Sequence, residues 1–175
     1  MPNWCNNYLT IEINDVEKAN KFEAFLKSLN EANEKQEKIE EGLLSYFLPL
    51  PEEESENWYM WHTENWGTKW DVTDVDWERL EESIFSMSFD TPWGPPTALY
   101  ENVTERDDGY EITAYYHECG MGFVGKFEDG FNEYYEYDFA DEDWGEDIPD
   151  DLIDYAGLDY EYEYYKECLE EDEEE

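Results

Sequence analysis

The sequence predicts a single α+β domain in the order strand, helix, strand, strand, helix, strand, followed by an extra hairpin and an acidic helical extension. Three observations lead there. Residues 7–13 alternate, with Leu9, Ile11 and Ile13 on one side and Tyr8, Thr10 and Glu12 on the other, which is the two-residue period of a half-buried strand. Immediately afterwards Val16, Ala19, Phe22, Leu26 and Leu29 recur at three- and four-residue steps, the apolar stripe of a helix. Strand-like alternation then returns at 110–117 and 123–127, and a chain of 175 residues suits one core.

In chain order, Asn14 or Asp15 can cap the first helix, predicted over 15–30 with a weaker continuation toward residue 41. Residues 43–51 are apolar and punctuated by proline, and 52–57 read as an exposed loop. Strands are predicted at 67–72 and 84–89, separated by residues 73–83, where Asp74 would cap a short helical turn. The prolines of 91–96 force a turn, because proline has no amide to donate to a ladder. A helix fits 97–105, with Pro96 near its first turn and Ala98, Leu99 and Val103 inward. Asp129-Gly130 is a two-residue hairpin turn joining 123–127 to a strand over 131–139. Residues 150–158 and 158–169 read as short acidic helices, and 170–175 as a solvated, disordered charge run. Taken together this is the split β-α-β order of a ferredoxin-like sandwich over residues 1–139, with an acidic extension over 140–175.

Charge dominates the composition. Fifty acidic against ten basic residues leave a net charge of -40, which disfavours nucleic acid and anionic membrane as partners and favours basic protein surfaces. For scale, duplex DNA carries about one charge per 100 Å² on a cylinder of roughly 10 Å radius. A compact monomer of this mass exposes on the order of 9,000 Å², which gives an even average of about one net negative charge per 200 to 250 Å². Clustering on one face would bring that face to the density of DNA. Lys18, Lys21, Lys27, Lys35 and Lys38 lie in or just beyond the first helix, so the rest is more acidic still. From Glu128 onward Lys166 is the only basic residue, whereas the acids include Glu128, Asp129, Glu133, Glu136, Asp138, Asp141, Glu142, Asp143, Glu146, Asp147, Asp150, Asp151 and Asp154.

Several chemistries find little support. No stretch approaches the roughly 18 apolar residues of a membrane helix, and the N-terminus lacks the basic and apolar regions of a signal peptide, so a cytoplasmic location is expected. Cys5, Cys119 and Cys168 have no CxxC spacing, which fits reduced thiols and no metal site. Cys119 with His62 or His117 lacks an orienting third group, and nearby carboxylates oppose a thiolate. The acids of 138–151 lack EF-hand spacing, and Gly120-Met121-Gly122 is too short for a phosphate loop. No catalytic residue and no cofactor are assigned.

Five blocks carry a family resemblance: Met1-Pro2-Asn3-Trp4-Cys5-Asn6-Asn7, Leu48-Pro49-Leu50-Pro51, Asn65-Trp66-Gly67-Thr68-Lys69-Trp70-Asp71, Phe89-Asp90-Thr91-Pro92-Trp93-Gly94-Pro95-Pro96, and a looser one over 115–125. Through them, residues 1 to about 130 resemble the YubB-type ferredoxin-like family of phage and plasmid proteins, a domain of unknown function. The resemblance implies a ferredoxin-like sheet, a mobile-element origin and a bacterial cytoplasm, and supplies no activity. This chain departs from that pattern in its acidity and in the extension after Gly130.

Three functional readings follow. In the first, the acidic surface imitates nucleic acid and occupies the basic groove of a host DNA- or RNA-binding defence protein such as a restriction, CRISPR or other nuclease. Aromatic and acidic residues interleave at 134–139 and 160–165, and a tyrosine with a buried ring and a wet hydroxyl suits an interface, so the stretch reads as both ordered and adhesive. In the second, Trp66, Lys69, Trp70 and Asp71 form a small-ligand or nucleotide site. A plain strand, with Trp66, Thr68 and Trp70 on one face and Lys69 and Asp71 on the other, accounts for the same pattern. In the third, the acidity serves an interaction domain without mimicry. The sequence leaves a homodimer open.

Overall fold

The computed structural model describes residues 2–173. The first strand, β1 (Trp4–Ile13), runs into helix α1 (Val16–Lys35), capped by the Asp15 carboxylate, which accepts the Lys18 amide at 2.8 Å. α1 stops well short of residue 41. Gln36 turns into the left-handed region (φ 55°) and donates its amide back to the last turn, and the residues beyond are mostly charged with no apolar stripe to hold a helix down.

Two short helices follow, α2 (Leu43–Phe47) and α3 (Trp58–Asn65), the second preceded by a 3-10 helix over Glu52–Asn57 where a loop is expected. Next come β2 (Asp76–Arg79), β3 (Ile84–Pro92), α4 (Thr97–Glu105), β4 (Tyr110–Glu118), β5 (Phe123–Glu128) and β6 (Phe131–Glu136). Helices α5 (Asp150–Ala156) and α6 (Leu158–Glu173) close the described chain. Residues 170–173, expected to be unstructured, thus belong to α6; residues 174 and 175 of that run lie outside the described residues.

The strand predicted at 67–72 does not form. That segment bends through Gly67 at φ 87°, and the strand lies instead at 76–79, where the sequence suggests a helical turn. β6 also ends three residues earlier than predicted. After the Tyr137 amide bonds the Gly122 carbonyl at 2.7 Å, the chain turns away with the Asp138 carboxylate accepting the Ala140 amide.

All six strands pair antiparallel in the order β2-β3-β1-β4-β5-β6. The hairpin between β5 and β6 turns on Asp129 and Gly130, both at positive φ (51° and 79°), as a two-residue turn between right-twisting strands requires. The main core lies between one sheet face and α1, α2 and α4. Leu9, Ile11, Phe85, Met87 and Phe127 meet Phe22, Leu26, Leu99 and Val103 there, with Phe22 and Phe85 edge to face at 5.3 Å.

The opposite face is divided. Over β4 and β5 it is roofed by residues 137–149, α5 and α6, which bury Val124, Ile148, Leu152 and Leu158. Over β1 to β3 it is open, with Tyr8, Glu12, Asp76, Glu78, Ser88 and Asp90 exposed. The acidic extension is therefore a second layer of the sheet.

Candidate functional site: the acidic roof and the motif end

The sequence blocks quoted above meet at one end of the sheet and hold one another there. Trp66 is buried, stacks on the His62 ring at 3.8 Å and donates through Nε1 to the Leu48 carbonyl at 2.9 Å. His62 donates through Nδ1 to the Lys69 carbonyl at 2.9 Å, since a carbonyl oxygen can only accept. The Thr68 hydroxyl donates to the Pro92 carbonyl, and Trp93 donates its amide to the Asn3 carbonyl. Gly67 lies at φ 87°, where any side chain is strained, and a Cβ there would also crowd the Pro95 carbonyl and the Ala98 amide at 3.2 Å. Asn7, fully buried, spends its amide on Cys5, Phe89 and Thr91.

Asp71 is the clearest case. Its carboxylate accepts the amides of Gly42, Leu44, Ser45 and Val72 and the Ser45 hydroxyl, so it caps α2 from a distance in sequence. Of the candidate ligand motif, Trp66 and Asp71 are consumed by the fold. Lys69 and Trp70 remain at the surface, with the ammonium 4.5 Å from the indole centroid and Trp70 in ring contact with Trp4.

The acidic residues behave in the opposite way. Glu128, Asp129, Glu133, Glu136, Asp138, Asp141, Glu142, Asp143, Glu146, Asp147, Asp150, Asp151 and Asp154 are all exposed, carried on the β5–β6 hairpin, the 137–149 segment and α5. Beneath them lies an aromatic layer. Phe139 is 4.9 Å from Tyr137, 5.0 Å from Trp144 and 5.6 Å from Tyr162, while Trp144 and Tyr162 are 5.3 Å apart. The interleaved sequence separates in part by side: Tyr135, Tyr137, Phe139, Tyr162 and Tyr165 turn inward, Glu136, Asp138 and Glu163 stay in water, and Glu161 is half-buried.

Nearby cations are already engaged. Lys126 pairs with Glu128 at 2.8 Å and Asp151 at 3.7 Å, tying the hairpin to α5, and the hydrogen bond to Glu128 raises its pKa. Lys166 pairs with Glu163. Averaged over 10965 Å² of exposed surface, forty net charges amount to one per roughly 270 Å², sparser than the expected average and than DNA.

Three groups under or beside the roof, His117, Glu161 and Cys5, have displaced pKa values. His117 bonds the Tyr137 hydroxyl through Nε2 at 2.6 Å, and burial lowers its pKa despite the opposing charge of Glu118. Burial raises that of Glu161, 3.9 Å away on α6. Cys5 is sealed, and burial with the charge of Glu118 pushes its thiol up to about 12. Glu118 itself is buried as an acceptor for the Gly120 and Met121 amides. Sequence reasoning missed Glu118, the pairing of Lys126 with α5 and the Phe139–Trp144–Tyr162 layer; the alternation of Tyr and acid was the available signal for the last. Among the described residues no group of His, Cys, Asp and Glu is placed to hold a metal ion, and no helix is long and apolar enough to cross a membrane.

No family model matches the chain, and no curated protein matches it. Among solved structures, protein api92 from Yersinia pseudotuberculosis, of family model DUF1281, is similar over 46% of this chain and 30% of that one, at 21% identity and a TM-score of 0.36.

Proposed function

We propose that this protein is a nucleic-acid mimic of the phage or plasmid type, which inhibits a host DNA- or RNA-binding defence protein by occupying its basic groove in the bacterial cytoplasm, without catalysis. The observation that carries this reading is the roof: exposed carboxylates mounted on a packed aromatic layer, with the neighbouring cations already paired. Carboxylates on a rigid base lose little freedom on binding, which favours association, and their field steers a basic partner in. The strand order β2-β3-β1-β4, with α1 and α4 on one face, supports a ferredoxin-like sandwich for the first part of the chain, in line with the YubB-type resemblance. Membership of that family is part of the proposal.

The test is competition. A purified bacterial nuclease with a basic groove is titrated with this protein at stepped salt, with duplex DNA as competitor. Inhibition relieved by excess DNA, and weakened by at least about tenfold between 0.05 and 0.5 M salt, is the expected result. Inhibition indifferent to salt and DNA would refute mimicry.

A further inference from the structure

β6 ends the sheet, and among the described residues no strand pairs with its outer edge. The Tyr137 amide meets the Gly122 carbonyl in the same register as the β5–β6 ladder, so the two-residue alternation turns the backbone of Phe131, Glu133 and Tyr135 toward β5. The N–H and C=O groups of Asn132, Tyr134 and Glu136 therefore point outward, a row of donors and acceptors ready to pair with a further strand.

Edges of this kind are normally blunted by shortness, lysine, proline or a bulge. At the opposite edge β2 is four residues long, and its Arg79 is tied to Glu23 at 2.7 Å. β6 has six residues with no lysine or proline, and it shows Phe131 at 76% and Tyr134 at 46% exposure. Its exposed rings are available to pack on an added strand.

Charge selects the occupant. Two copies paired edge to edge would set Glu133 and Glu136 among their own counterparts, and like charges opposite one another destabilise a ladder while each chain carries -40. A strand placing Lys or Arg beside Glu133 on one face and Glu136 on the other, with apolar residues against Phe131 and Tyr134, reverses the sign of every such pair. We propose that the free edge of β6 is a strand-addition site for an extended basic segment of the protein partner. This deepens the reading above and rests on that partner being basic. The main-chain bonds would hold the segment, and the carboxylates would choose it.

The experiment follows amide hydrogen exchange in the full chain with a synthetic peptide of Arg-Arg-Val-Val repeats, and with the same peptide carrying Glu for Arg. With the basic peptide alone, exchange at Asn132, Tyr134 and Glu136 should slow by about tenfold or more, as for newly bonded amides. Tyr134→Pro removes an outward amide and no ladder bond; it should abolish that protection and leave the circular dichroism unchanged. Glu136→Pro makes the same test should Tyr134→Pro fail to fold. Peptide binding that leaves those amides unprotected, binding unchanged in the proline variants, or a dimer that Tyr134→Pro dissolves would each overturn the proposal. In the nuclease assay, loss of inhibition on reversing the acidic roof but not on Tyr134→Pro would sink strand addition and leave mimicry standing. The converse result would sink mimicry and keep the edge.

Discussion

The motif end of the sheet and the acidic roof use polar residues in contrary ways. Around Trp66, Asp71, Asn7 and Thr68, polar side chains bond inside the molecule, with the buried Asn7 Oδ1 the exception, and the result is a splice joining α2, α3, the end of β3 and the start of β1. In the roof, polar groups face water while the aromatic rings between them make the structure. A dense, distinctive motif here marks a place where distant segments are joined, and a repetitive acidic stretch marks a surface left in water. Buried hydrogen bonds fix geometry because breaking them strands a group away from water; exposed charges cost little to hold and remain free to bind.

The sharpest way to break this comparison is Asp71→Ala. It removes the acceptor of four amides and a hydroxyl, and a loss of about 3 to 5 kcal/mol in urea unfolding is expected. A loss below about 1 kcal/mol would show that the splice is not what holds this end together. Next, replacing Asp141, Glu142, Asp143, Glu146 and Asp147 together by lysine should cost at least about a hundredfold in affinity for a basic partner, near 2.7 kcal/mol. The melting temperature should not fall, because these side chains are exposed and the change relieves self-repulsion. Unfolding of that variant would assign the roof a structural role instead.

Smaller effects sharpen the same contrast. Raising salt from about 0.05 to 0.5 M should raise the melting temperature by a few degrees through screening of the net charge; a flat melting curve would mean that the carboxylates are too far apart to repel. Glu161 is the exception in the acidic extension, since burial raises its pKa. A carboxyl held above its unfolded pKa contributes stability that is full below the ordinary range and is lost as pH rises through the folded pKa. Glu161→Gln should accordingly raise the melting temperature by about 1 °C at pH 8 and leave it unchanged near pH 4. Finally, a thiol reagent at pH 8 should label exposed Cys119 in the native protein and reach Cys5 only after denaturation, because Cys5 is buried with its pKa near 12.

Elements with a clean period were legible in the sequence. Of the stripe Val16, Ala19, Phe22, Leu26 and Leu29, all but Val16, which begins the helix and lies exposed, are buried as their spacing predicts, as are Leu9, Ile11 and Ile13, and 97–105 forms its helix with the expected ends. α3 was missed because Trp58, Tyr59, Met60 and Trp61 are adjacent and show no helical stripe, and none of its residues is fully buried. Residues 67–72 alternate like a strand but are bent by Gly67 and by what Thr68 and Asp71 must bond, partners that lie 24 to 29 residues away. Local period cannot report such demands. For the site, the acids of 128–154 named above lie exposed, and the sequence signalled the aromatic layer beneath them only through the interleaving of tyrosine and acid at 134–139 and 160–165.

By itself, then, the order of residues determined the α+β class, the first strand and helix, the hairpin at Asp129-Gly130 and a charge of -40, because these depend on periodicity, turn stereochemistry and composition. Tertiary structure alone decided that the acidic extension folds over β4 and β5, that Asp71 caps α2 from 26 to 29 residues away, and that β6 is left as a free edge. Those outcomes rest on which distant surfaces bury each other and which backbone groups stay unpaired, and no short stretch of sequence contains both partners.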